Sequence, residues 1–121
     1  MNAVTLIGDL VTEVEVRDLE EGKKVATFLL AVERGRAAGG AAGGADFVRI
    51  AAWNRQAEAC ARRLGRGDRV AVDGRLRSRS WEDADGKRRS AVEVVAKAVE
   101  FLPTDDERSR ETSKEEATVT R

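Results

Sequence analysis

The 121-residue chain contains no histidine, no tyrosine, one cysteine and one proline. Each absence removes a class of function. Without histidine, the commonest general base and the commonest zinc ligand are both missing. A lone cysteine, Cys60, can form no internal disulfide and no cysteine-rich metal site, and it suits a reducing compartment. Carboxylates pair at Glu20-Glu21 and at Asp83 with Asp85, but in hydrophilic, turn-like stretches. Nothing there would raise a carboxyl pKa for acid catalysis. The pairs Gly39-Gly40 and Gly43-Gly44 lack the strand and helix that flank a phosphate-binding loop. No apolar run approaches the length that spans a bilayer, and Met1-Asn2-Ala3-Val4 starts no signal peptide. The expectation is a cytoplasmic protein that is not an enzyme, with no cofactor, no metal and no membrane partner.

What the chain does have is charge, unevenly placed. Its 22 basic and 22 acidic residues cancel to a net charge of zero. From Arg49 to Arg89, however, 12 residues are basic, eleven of them arginine, against 6 acidic. From Pro103 to Arg121 the count is 4 basic and 6 acidic. A basic body with an acidic end suits a phosphate-bearing partner, because binding responds to local charge more than to the total. Charge counts alone favour the plainer reading, a solvated surface.

Hydrophobic patterning gives five strands and one helix. Val4 to Leu10 reads as a strand with a bend or bulge at Gly8, and Val14 to Arg17 extends it. Lys24 to Glu33 is apolar on both faces, so it should be central. A glycine-alanine segment, Gly35 to Gly44, makes a long hairpin loop. Phe47 to Trp53 follows, with Val48, Ile50 and Ala52 on the core face. Asn54 caps a helix from Arg55 to Leu64, whose stripe is Ala57, Cys60, Ala61 and Leu64. In the strand from Arg69 to Trp81, Val70, Val72, Gly74 and Leu76 point inward. Asp83-Ala84-Asp85-Gly86 turns the chain into Ser90 to Leu102, where Val92, Val94, Ala96 and Ala98 alternate. Three strands, a helix and two strands match the five-stranded Greek-key barrel of the OB fold. A five-stranded sandwich fits the pattern equally. The domain is expected over residues 1–102, with a short disordered tail over 103–121.

Two strands carry an unusual outer face. Phe47, Arg49, Ala51 and Trp53 share one; Arg75, Arg77, Arg79 and Trp81 share the other. Aromatic rings stack on the open faces of unpaired bases, and arginines neutralise the phosphates between them. Such a surface tolerates any base and prefers single strands, since a duplex hides its base faces. The plainer alternative packs Phe47 and Trp53 under the glycine loop or in a subunit interface. Phe28 and Phe101 read as core.

Four stretches together carry a family resemblance. Asn2 to Leu10, Phe47-Val48-Arg49-Ile50-Ala51-Ala52-Trp53, Leu64 to Val70 and Gly74 to Trp81 resemble the bacterial single-stranded DNA-binding proteins, over Met1 to about Leu102. The resemblance implies an OB fold and a homotetramer that wraps single-stranded DNA in replication, recombination or repair. It places stacking on Phe47, Trp53 and Trp81, with Arg49, Arg77 and Arg79 beside them. Arg34, Arg36, Arg55 and Arg75 complete the expected DNA-binding set. Two departures stand out: Arg36 lies near where some members carry an aromatic, and the tail closes on Ala117-Thr118-Val119-Thr120-Arg121 without an apolar tip for partners. The rival reading is an OB-fold accessory protein of the primosome type, acting mainly through protein contacts.

Overall fold

The computed structural model describes residues 1–35 and 43–103. Its elements run β1 (Val4–Leu10), β2 (Glu15–Asp18), β3 (Lys24–Glu33), β4 (Ala45–Trp53), α1 (Arg55–Arg63), β5 (Arg69–Glu82) and β6 (Arg88–Leu102). Both β1 and β2 lie along β3, Leu10 opposite Leu30 and Glu15 opposite Thr27. They are two halves of one bent strand, so the five-strand layout holds.

Closure decides between barrel and sandwich. β1 pairs with β5 from Val4 opposite Gly74 to Asp9 opposite Arg69. β5 pairs with β6, β6 runs parallel to β4 at Ile50 and Val94, and β4 pairs with β3. Since β3 returns to β1, the circuit is closed. This is the OB barrel, and the sandwich is excluded.

Gly8 sits where β1 leaves β5 for β3. A Cβ there would lie 2.3 Å from the Ala31 carbonyl oxygen, so only glycine lets the strands cross this closely. Gly74 plays the same part on β5, 2.2 Å from the Val95 carbonyl oxygen.

The interior is filled by Leu10, Leu30, Ile50, Val70, Val72, Val94 and Cys60, all but sealed from solvent. Each such aliphatic side chain contributes about 1.5–3 kcal/mol through removal from water. Burial also pushes the Cys60 thiol up from its ordinary value, which suits a packing residue and not a nucleophile.

On the last two strands, the inward assignment of Leu76 and the alternation from Val92 to Ala98 need correction. Asp73 faces Ala98 but Gly74 faces Ala96, so Lys97 is an extra residue bulged out of β6. The bulge reverses the alternation beyond it. Val99 and Phe101 therefore pack on the core, while Ala98 is exposed. Leu76 and Val92 lie where the β5–β6 hairpin runs out past the barrel, and they are 47% and 61% exposed.

The helix differs too. Ala57, Cys60 and Leu64 are buried as expected, but Ala61 is exposed and the helix ends at Arg63. Asn54 does not cap it by its side chain. With φ at 54°, Asn54 turns back on β3, where its Oδ1 accepts from the Lys24 N–H at 3.2 Å. Arg63 lies over the Phe101 ring at 4.0 Å and ties the helix to β6. No helix among the described residues is long and apolar enough to cross a membrane.

Candidate nucleic-acid interface

The order β4–β6–β5 makes three adjacent strands share one outer face. On β4 it presents Phe47, Arg49, Ala51 and Trp53; on β5, Arg75, Arg77, Arg79 and Trp81. Between them β6 contributes Glu93 and Val95, set by the pairs Ala51–Val95, Arg75–Val95 and Arg77–Glu93. With strands about 4.8 Å apart, the two rows stand roughly 10 Å from each other. The two strands flagged in the sequence thus form one surface.

The aromatic residues are not equivalent. Phe47 is 63% exposed and Trp81 39% exposed, while Trp53 is half-buried. An arginine lies over each tryptophan: Arg79 is 4.4 Å from the Trp81 ring centre and Arg77 is 5.6 Å from that of Trp53. These cation–π contacts hold the rings by one face or edge and set the guanidiniums beside them. Trp53 Nε1 and Arg79 Nε are enclosed and make no hydrogen bond among the described residues.

Glu93 links the two arginine-bearing strands, and the sequence reading did not single it out. It is 2% exposed and accepts from Arg49 Nε at 3.2 Å on one oxygen and from Arg77 at 2.7 Å on the other. A signal for it was present. Glu93 is the lone carboxylate in the apolar run Val92-Glu93-Val94-Val95, where a buried charge needs a charged partner.

The remaining arginines scatter. Arg75 and Arg55 are exposed and form no ion pair among the described residues. Arg55 opens the helix, outside the three-strand face. Arg34 is exposed and pairs with Asp46 at 2.8 Å, on the stem of the long loop. Arg36 lies outside the described residues, as do the loop residues around it and the tail beyond Pro103. At the far hairpin, Arg89 bonds Asp83 at 2.8 Å; this contact, with the Lys87 N–H, holds the Asp83 carboxyl below its ordinary value.

Comparison with known proteins points to one family over residues 1–102. A model of the Single-strand binding protein family matches residues 1–102. "Single-stranded DNA-binding protein 2" of Listeria innocua is 42% identical over 102 residues, covering 84% of this chain and 64% of that protein. "Single-stranded DNA-binding protein" of Bacillus cereus is 43% identical over 84% of this chain and 60% of its own length. "Single-stranded DNA-binding protein A" of Bacillus subtilis is 41% identical, over 84% and 59%. The matched region thus spans about three-fifths of these relatives. With the closed five-stranded barrel and the match over its whole length, the chain belongs to the single-strand binding protein family.

Proposed function

We propose that this protein binds and protects single-stranded DNA, without chemistry and with little regard for base sequence. The observation that carries the reading is the continuous outer face of β4, β6 and β5. There Phe47, Trp53 and Trp81 offer rings for base stacking, and Arg75, Arg77, Arg79 and Arg49 offer charge for phosphates. The relatives carry names for DNA binding and not for catalysis. Glu13 and Glu15 border a hollow of about 270 Å³ with Arg49. They repel phosphate on that side and steer the strand toward Arg77 and Arg79.

A DNA ligand fits a cytoplasmic, nucleoid-associated location and a role in replication, recombination or repair. Residues 1–102 act as the binding domain in this reading, with residues 103–121 as a tail carrying net negative charge. The family resemblance further supports a homotetramer, checked by the mass in light scattering; a monomer would overturn it.

The deciding experiment is a tryptophan-fluorescence titration with oligo-dT, oligo-U and duplex DNA at two salt concentrations. Oligo-dT should quench emission and bind tighter than duplex, and its affinity should fall as salt rises. Equal affinity for duplex and single strand, or no quench at saturation, overturns the reading. Weak single-strand binding with no salt dependence would favour the accessory-protein role.

A further inference from the structure

Glu93 is the one charged residue buried among the described residues. A carboxylate taken out of water is costly unless it is paired, and here each oxygen has its own arginine. The two arginines come from β4 and β5, and Glu93 stands on β6 between them. The three charges sum to plus one. Each guanidinium has five N–H donors, and both arginine side chains keep 37% of their surface exposed. Donors therefore remain for an incoming phosphate. Arg77 also lies over Trp53, so the clamp reaches the stacking ring as well.

We propose that Glu93 is the positioning residue of the interface, holding Arg49 on one oxygen and Arg77 on the other in the arrangement that meets a single strand. The proposal rests on the single-stranded DNA reading above. An arginine already fixed loses little rotamer freedom when it binds, whereas a loose one loses much. The clamp also lowers the charge offered to DNA, which flattens the dependence of affinity on salt. Pre-ordering and charge can therefore be read separately.

The test measures oligo-dT affinity across a salt series for the wild type, Glu93→Gln and Glu93→Asp, with thermal unfolding as the check on folding. Gln keeps the shape but removes the charge, so the log–log salt slope should steepen by about 0.7. At high salt, where charge matters least, affinity should fall by about fivefold or more. Asp keeps the charge but is one methylene too short to reach both arginines. It should retain the wild-type slope and lose about fivefold in affinity at every salt concentration. A Gln slope equal to wild type, or an Asp variant of full affinity, overturns the positioning role. Failure of both variants to fold overturns it as well, since Glu93 would then serve only the barrel. If the wild type itself does not bind oligo-dT, the functional reading fails; a negative result confined to the variants leaves that reading standing.

Discussion

The guanidinium of Arg77 lies 5.6 Å from the centre of the Trp53 ring, on the outer face of the barrel. The contact couples the two kinds of interaction a single strand needs. In the proposed reading, one residue would present a ring to a base and its neighbour a cation to the adjoining phosphate. Arg79 and Trp81 repeat the arrangement further along β5.

The two tryptophans should answer differently to truncation. Base–aromatic stacking is worth about 1–3 kcal/mol per base, a range established on single-strand-binding OB domains of this same kind. Trp81→Ala should lose that much affinity for oligo-dT with an almost unchanged melting temperature, because Trp81 lies on the exposed hairpin. Trp53→Ala should lose similar affinity and also lower the melting temperature, because the ring is half-buried. Paired titrations and melts check both. An unfolded Trp81→Ala would assign that ring to a packing role.

Arginines on the same strand should also divide. Arg75 is exposed without an ion pair among the described residues, so Arg75→Ala should reduce the salt slope by about 0.7 and leave stability alone. Arg77→Ala strips one partner from a buried carboxylate. It should cost about 1–3 kcal/mol of stability, with Arg49 left to hold the other oxygen. Urea unfolding separates the two variants.

Closure of the barrel predicts a third outcome. Gly8→Ala places a methyl 2.3 Å from the Ala31 carbonyl oxygen, and backbone on both sides must move. The expected loss is about 1–3 kcal/mol, seen as a lower melting temperature. Gly22→Ala is the useful control. Its site is open, and any cost there reflects only its φ of 73°.

A pH dependence follows from the far hairpin. Asp83 is held below its ordinary value of 3.8 by Arg89 first and the Lys87 N–H second. A carboxyl whose folded value is depressed stabilises the protein above its unfolded value. That contribution disappears as pH falls from about 3.8 through the folded value. Melting temperature should therefore drop less steeply in acid for Asp83→Asn than for the wild type. Identical acid profiles would show that the bond contributes nothing.

Much of this architecture was legible in the chain because strand faces alternate strictly. Phe47, Arg49 and Trp53 fall at even spacings on β4, and the structure puts them on one side. The barrel's central strand was readable for the same reason, since β3 is apolar on both faces. The exceptions share a cause. Alternation carries no mark of an inserted residue, so the bulge at Lys97 hid the inward turn of Val99, although Phe101 was expected in the core and packs there. Periodicity likewise cannot tell where a hairpin leaves the core, so Leu76, expected inward, is exposed there together with Val92. Asn54 fits the composition of a helix cap, yet its partner is Lys24, thirty residues away in sequence. Glu93 escaped because its partners sit on two other strands, which only the barrel brings together.

The way β1 closes the barrel also sets an order in time. Asp9 meets Arg69 across 60 residues, and the Asn2 side chain bonds the Leu76 backbone across 74. As the chain is synthesised, its first strand has no partner on that side until β5 has been made. The strand made first is therefore among the last to be satisfied. Pairings of such long range place folding in the slow, millisecond-to-second class of all-β domains. Through that interval the apolar side of β1 has to be kept from other chains.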